Sequence, residues 1–525
     1  MIKNNLISAQ QEYLKGNKDK AKEICLNIVN KNPDSNIYNF LGVIELTDKN
    51  HRKSLSYFHQ SLRMDQNNIK ALNNIGNALI QKHKYYSAIN FLKKAIKIDN
   101  KFIQAYLNIS LAYLKIKNFK DSRKHLEKIL TIDKSNFFAF NNLGKIYYEE
   151  RKYNKSLNHY LKALELNRHS EILYNNLGLL YERKNKFKKA QLYFKNALDL
   201  KPDFFDCQFN LALLSLKIGN CKEGIKLYDA RFFKKEKKNK SLINNDALKI
   251  NLQEIEKNKK VYIIAEQGYG DIFQFSRIGL ILKKIGFIVV FIINDELYEF
   301  FKNQKIFHEY VKKSDLDFNK IASNQIIPLL SIPRIFNLNI RDFIFNDAYI
   351  FADQNKSKYW ANKINNNNIN VGVVWSASDH LHNYERSIPI NLLNKISKLK
   401  NIKLVSLHTK KHLDGLNKNL ADLRNILFFD NLDTKYKFVD TAALIENLDL
   451  VISIDTGIAH LSASMGKKTW IILPYHHDWR WSLNSNKSYW YHSVKLFRSK
   501  KYNDWENIIK NVLLDLKKLK SELYG

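Results

Sequence analysis

A period of 34 residues through the first half of the chain constrains its fold more than any other feature. The pairs Leu41-Gly42, Ile75-Gly76, Ile109-Ser110, Leu143-Gly144, Leu177-Gly178 and Leu211-Ala212 each set an apolar residue before a small one at that interval. Twelve residues after each small residue comes a second, at Ser54, Ala88, Ser122, Ser156, Ala190 and Gly224. Small residues at both points let two antiparallel helices approach closely. Sixteen residues after the first small residue stands a large side chain, Phe58, Leu92, Leu126, Tyr160, Phe194 or Tyr228, which fills the gap between hairpins. A single hairpin of this kind cannot bury its apolar face, so the units stack into an α-solenoid in which each contacts only its neighbours. Residues 5–33, with Ala21 and Pro33, read as an offset first unit, which makes about seven repeats over residues 1–232.

This is the period and pattern of tetratricopeptide repeats. One position recurs in phase without being needed for packing: Asn74, Asn108, Asn142, Asn176 and Asn210 each precede the small residue by two, on the first helix of the unit. A primary amide carries two donors and an acceptor, so a column of them can pair with the backbone of an extended peptide without reading its side chains. In this respect the array resembles the repeat arm of protein O-GlcNAc transferases, in which such a ladder holds the acceptor polypeptide. Asparagine is abundant in this chain, and an in-phase column also arises from composition alone.

At about 150 residues per domain, 525 residues predict three to four domains. A content of 45% hydrophobic and 26% charged residues is that of a globular chain. Cys25, Cys207 and Cys221 form no CxxC pair, which supports neither a structural zinc site nor a disulfide framework and fits a reducing cytoplasm. No apolar run reaches the roughly 18 residues of a membrane span, and the N-terminus lacks a signal-peptide core, so a soluble, cytoplasmic protein is expected. The net charge of +35 is uneven: residues 1–240 carry 46 basic against 22 acidic side chains. The lysines are scattered at helix-surface spacing with no groove motif, so they read as a solvated face and no nucleic-acid partner is expected.

After a charged junction at 233–257 the period changes. Val261–Glu266 and Phe287–Ile293 are short β-rich runs that bracket a helical stretch at Ile272–Ile285. A second series of runs lies at Val371–Ser376, Lys403–His408, Ile426–Phe429, Leu450–Ile454 and Thr469–Leu473. This predicts two parallel-sheet, Rossmann-like halves, 258–360 and 368–525, with a switch at about 355–368 that includes an Asn-rich run. Ligands of such sheets bind at the carboxyl ends of the strands.

Two strand ends carry the informative residues. The first run leads into Gln267-Gly268-Tyr269-Gly270-Asp271, where the glycines permit a tight turn and place Asp271 at a helix N-terminus. The Leu450–Ile454 run leads into Asp455-Thr456-Gly457-Ile458-Ala459-His460, again opening a helix whose first N–H groups suit a diphosphate without a metal. Taken singly, Asp271 reads as a helix cap and His460 as a packing histidine. Together, over roughly residues 258–515, they resemble glycosyltransferase family 9, the lipopolysaccharide heptosyltransferases of GT-B fold.

That resemblance implies Asp271 as general base on the acceptor hydroxyl and Asp455 as the carboxylate holding donor sugar hydroxyls. It implies Thr456, Gly457 and His460 as diphosphate contacts, with Arg386 as a basic phosphate partner; Gly268 and Gly270 shape the first turn. His460 is also a candidate catalytic group. No cofactor is implied beyond a nucleotide-diphosphate sugar as donor substrate, and no metal. Usual members of that family lack a repeat arm, so their acceptor is not inherited; the domain plan looks instead like that of protein O-GlcNAc transferases. The expected function is transfer of a sugar to a protein or glycan recruited by the arm, and the alternative is a non-catalytic peptide-binding scaffold with a degenerate glycosyltransferase domain.

Three weaker features remain. Trp479 and Trp481 lie in an aromatic DWRW segment that suits either core packing or ring stacking. Asp315-Leu316-Asp317 matches a DxD pattern away from any strand end, and His476-His477-Asp478 has ligand types with adjacent histidines pointing apart.

Overall fold

The computed structural model describes the chain apart from residues 1, 234–254, 256–259, 319–320, 322–324, 339–347, 365–367, 378–384, 416–424, 484 and 525, and the side chains of 2–5, 523 and 524. The junction expected at 233–257 and the centre of the Asn-rich run fall almost wholly outside the described residues. The chain forms two compact units, Met1–Pro202 and Asp203–Gly525.

The first unit consists of antiparallel helical hairpins from Ile2–Leu14 to Phe187–Leu200. Its period is enforced by three recurring features. A methyl group at Gly42 would overlap the Phe58 ring, which explains why only a small residue stands there. Asp34, Asn50, Asn68, Asn136 and Ser170 accept backbone N–H bonds at helix starts. Between the two helices of successive hairpins, Lys49, His83, Lys117, Arg151 and Asn185 adopt positive φ, one per 34 residues, so the turn is left-handed even without glycine.

The second unit opens with one more hairpin, Phe205–Lys217 and Cys221–Tyr228, followed by a 3-10 turn at Asp229–Phe232. Arg231 fastens this hairpin to the segments around Glu266 and Ser331. Fully buried, it donates to Glu266 Oε1 at 2.5 Å and to Asp229 Oδ1 at 2.5 Å, and to Ser331 Oγ at 2.9 Å.

Two parallel sheets then form. The first contains β1 (Lys260–Ile264), β2 (Ile288–Ile293), β3 (Glu309–Lys312) and β4 (Ile326–Pro328), in the order β3-β2-β1-β4. The second contains β5 (Ile369–Val374), β6 (Ile402–Ser406), β7 (Ile426–Leu427), β8 (Leu450–Ile454), β9 (Thr469–Leu473) and β10 (Val494–Arg498), in the order β10-β9-β8-β5-β6-β7. Central strands buried along their length, such as β5 and β8, read as unbroken apolar runs because both faces of a parallel sheet are covered.

Strand order reverses between β1 and β4 in one sheet and between β5 and β8 in the other. At such reversals the connections leave in opposite directions and open a crevice at the carboxyl edge. The stretch expected as one helix over Ile272–Ile285 is two helices, Tyr269–Ser276 and Ile278–Lys284. They part at Arg277, whose buried guanidinium donates to the Trp490 carbonyl at 2.7 Å and to Tyr349 Oη at 2.9 Å. Among the described residues no helix is long and apolar enough to cross a membrane.

Candidate active site

Both motif-bearing strand ends lie at these reversals, and they meet. At the end of β1, Gly268 is extended (φ −68°, ψ 166°) and starts the helix Tyr269–Ser276. Asp271 falls in the first turn of that helix and does not cap it. Its Oδ1 is instead taken by the Arg480 guanidinium in an ion pair. The same guanidinium donates to Asp478 Oδ1 at 2.7 Å. Burial alone would lower the pKa of Arg480, but Asp271 and Asp478 hold it well above the ordinary value.

At the end of β8, Thr456 is extended and opens the helix Gly457–Ser464, while its hydroxyl lies 3.2 Å from Ser453 Oγ. Arg386 donates to the Asp455 carbonyl at 3.2 Å and approaches its Oδ2 at 3.9 Å. Burial pushes the Asp455 carboxyl up to about 6, with the Asp478 charge adding to the shift and Arg386 opposing it. His460 is buried, with Nδ1 3.0 Å from Tyr491 Oη and its ring stacked on Trp481 at 5.0 Å between centroids. Burial, and next the nearby Arg480 charge, push its imidazole down to about 3. The ring is therefore neutral near pH 7, and its Nε2, 3.8 Å from Asp455 Oδ1, is not part of a charged pair.

The two helix starts press on each other. A Cβ at Gly270 would lie 2.8 Å from His460 Cδ2, and one at Gly457 would lie 3.2 Å from Tyr269 Cβ. Glycine at both positions lets the backbones touch, which brings Asp271, Asp455 and His460 into one cluster with Arg386 at its edge. The sequence reading did not single out Arg480, Asp478 as an ion-pair partner, or Tyr491. It also missed a clasp in which Lys437 donates to Glu296 Oε2 at 3.0 Å and bonds the Tyr269 hydroxyl. Phe438 beside it takes a left-handed conformation at φ 65°, rare for a bulky residue. The Asp and Arg inside the otherwise aromatic DWRW segment were the available signal for the first pair.

The buried neutral imidazole has a consequence for pH. The unfolded chain protonates His460 near 6.5 and the folded chain only near 3, so the histidine's contribution to stability is complete above pH 6.5 and is lost as pH falls. Asp455 acts in the opposite direction, because its folded pKa is raised. Comparing wild type with His460→Asn isolates the histidine: their stability difference moves against wild type by about 2 kcal/mol between pH 7.5 and 5. A difference constant over that range in denaturant melts contradicts the buried neutral ring.

The asparagine column lies elsewhere. In the first unit Asn74 donates to Asn39 Oδ1 at 2.9 Å, Asn108 to Asn73 at 2.8 Å and Asn176 to Asn141 at 3.0 Å. These three amides each link their repeat to the one before, and spend one donor in doing so. Asn142 stands 35 residues after Leu107, where that link has no amide to meet. Asn210 is half-buried in the second unit. Of the aromatic pair, Trp481 is fully buried, as core packing requires, and Trp479 is half-buried. His477 Nε2 lies 2.9 Å from Arg498 Nη1. Asp315 ends a 3-10 turn after β3.

A family model for glycosyltransferase family 9 (heptosyltransferase) matches residues 391–501, which include Asp455–His460 but not Asp271 or Arg386. Tetratricopeptide-repeat models match 69–102, 103–136, 144–185 and 172–204. No curated protein matches the chain. Among solved structures it is similar to a chain of the APC/C hetero-tetramer Cut9-Hcn1, at 17% identity over 43% of this chain and 45% of that one, with a TM-score of 0.39. The present chain therefore spans less than half of that one. It is also similar to Pseudomonas aeruginosa PilF, at 18% identity over 39% of this chain and 94% of that one (TM-score 0.35), and to MamA, at 24% identity over 32% and 92% (TM-score 0.28). The chain joins tetratricopeptide repeats over residues 69–204 to a glycosyltransferase family 9 region over residues 391–501.

Proposed function

We propose that the second unit is a GT-B glycosyltransferase that moves a sugar from a nucleoside-diphosphate sugar to an acceptor recruited by the repeat arm, with inversion and without a metal. The observation that carries this reading is the meeting of Asp271, from the end of β1, with Asp455 and His460, from the end of β8, at the reversal points of two parallel sheets.

In this reading the acceptor hydroxyl gives its proton to Asp271 while its oxygen attacks the anomeric carbon. The bond from that carbon to the diphosphate oxygen breaks, and negative charge collects on the leaving diphosphate. The first N–H groups of the helix Gly457–Ser464 have no partner within the helix, and with Arg386 they meet that charge. Asp455 holds hydroxyls of the donor sugar, and neutral His460 offers Nε2 to the sugar or phosphate. Gly270 leaves room for the His460 ring, and Gly268 keeps the first turn open to the substrates. The repeat arm, with Asn74, Asn108, Asn142, Asn176 and Asn210 in phase, is the surface for a protein or peptide partner. A cytoplasmic location fits three cysteines that form no disulfide.

The test is release of nucleoside diphosphate from UDP-, GDP-, ADP- and CDP-sugars with EDTA present, using total cell glycans and proteins as acceptors. Acceptor-dependent release from one donor supports the reading. No release from any donor, together with peptide binding by the arm, favours the scaffold alternative.

A further inference from the structure

Asp271 is held by a residue 209 positions away in the chain. It is the third residue of the helix Tyr269–Ser276, where an acidic side chain can turn back to the N–H of the capping residue. Here Oδ1 is turned to the Arg480 guanidinium instead. Oδ2 lies toward the first turn, 3.7 Å from where a Cβ on Gly268 would stand, and has no hydrogen-bond partner among the described residues. The carboxylate is thus fixed at one oxygen and open at the other. Its side chain is 20% exposed against 10% for Arg480, so solvent and substrate reach the carboxylate more readily than the guanidinium.

Arg480 is itself fixed from several sides. Its Nη1 donates to Asp478 Oδ1 at 2.7 Å, and its backbone N–H donates to the same oxygen at 3.0 Å. Its carbonyl accepts from Trp490 Nε1 at 2.9 Å, and the guanidinium lies 4.6 Å from the centre of the Trp479 ring. Backbone, ring and counter-ion hold the guanidinium before Asp271 is counted. The two carboxylates also use different nitrogens, Nη2 for Asp271 and Nη1 for Asp478. That division matters when Asp271 changes charge. A buried cation stripped of its only counter-ion is strongly destabilising, but Arg480 keeps Asp478 whether Asp271 is ionised or protonated.

We propose, resting on the glycosyltransferase reading above, that Arg480 is a positioning residue for the base. It holds Asp271 Oδ1 so that Oδ2 is the oxygen that takes the acceptor proton, and Asp478 is the counter-ion that stays with it throughout. In that step the acceptor O–H bond breaks and the proton goes to Oδ2. The acceptor oxygen joins the anomeric carbon, and the electron pair of the broken carbon–oxygen bond leaves on the diphosphate. Arg480 exchanges no proton. A lysine does not replace it, because one ammonium lacks the two nitrogens at fixed spacing that meet the two carboxylates.

The test is donor turnover by the full chain, with total cell glycans and proteins as acceptors, for wild type, Arg480→Ala and Arg480→Lys. Nucleotide affinity is measured on each by calorimetry, and urea unfolding shows whether each folds. Arg480→Ala lowers kcat by about 10²-fold, the scale of a misplaced catalytic group, and leaves nucleotide affinity within about threefold of wild type. Guanidinium at a non-denaturing concentration restores kcat in Arg480→Ala by about tenfold, and methylammonium at the same ionic strength does not. Arg480→Lys folds and loses about tenfold or more in kcat. The proposal is overturned by wild-type kcat in Arg480→Ala, by equal losses of kcat and nucleotide affinity, or by a folded Arg480→Ala that guanidinium does not rescue. Where Arg480→Ala does not fold, Arg480→Lys decides, and a kcat within about twofold of wild type overturns the proposal. Wild type that turns over no donor removes the glycosyltransferase reading and this proposal together, whereas turnover that Arg480→Ala leaves unchanged removes this proposal alone.

Discussion

Asp271→Asn lowers kcat by about 10²–10⁴-fold while leaving donor binding within about twofold of wild type. The magnitude is that of losing a positioned general base. The separation follows from the geometry, because Asp271 comes from the end of β1, whereas Asp455, Gly457 and Arg386, the groups proposed to hold the donor, follow strands of the second sheet. Arg480 keeps Asp478 as a partner in the variant, so the protein stays folded and the loss reads as chemistry. Equal losses in kcat and donor affinity would instead mark Asp271 as a binding group. A variant with full activity would leave the ion pair with Arg480 as its whole role.

Arg231→Met destabilises the second unit by about 3–5 kcal/mol, because it strands the Glu266 carboxylate against an apolar side chain. Glu266 depends on the buried guanidinium, and the 6% exposure of its side chain leaves little water to replace it. Arg334 still reaches Asp229 Oδ2 at 2.5 Å, but nothing comparable replaces the bidentate contact with Glu266. Arg231→Lys recovers only part of the loss, because an ammonium cannot form the paired bonds of the guanidinium plane. Urea unfolding followed by tryptophan fluorescence reads the second unit, since every tryptophan of the chain lies there. A shift below about 1 kcal/mol would mean that the network is solvated and does not fasten the hairpin.

The parts legible in the sequence share a physical cause. The repeats were legible because packing imposes Gly42 opposite Phe58 and its equivalents at a fixed period. The central strands β1, β2, β5, β8 and β9 were legible because burial on both faces leaves apolar runs. The strands that escaped notice, β3, β4 and β10, are all sheet edges. There one side is solvated or the strand is short, so charged residues such as Glu309 and Lys495 interrupt the pattern. The break at Arg277 was illegible for another reason: Ile272–Ile285 has helical periodicity throughout, and the partners that make a buried arginine acceptable there include the distant Tyr349 and Trp490.

The candidate site divides in the same way. Asp271, Asp455, Thr456, Gly457 and His460 announce themselves by glycine and acid at strand ends, where backbone geometry restricts the choice of residue. Arg480 and Tyr491, which set the charge and hydrogen bonding around them, come from an irregular segment whose partners are set only by the tertiary fold. The asparagine column was visible as a phase, but the bonds from Asn74 to Asn39 and from Asn108 to Asn73 could not be read from it.

The central claim is that the helix opening at Gly457, with Arg386, receives a nucleoside diphosphate. Isothermal calorimetry with UDP, GDP, ADP and CDP in EDTA tests it most directly, on wild type and Arg386→Ala. The account predicts that one of these nucleotides binds at a single site without metal and binds about tenfold or more weakly to the variant. Absence of binding for all four, or binding to Arg386→Ala as tight as to wild type, would contradict it.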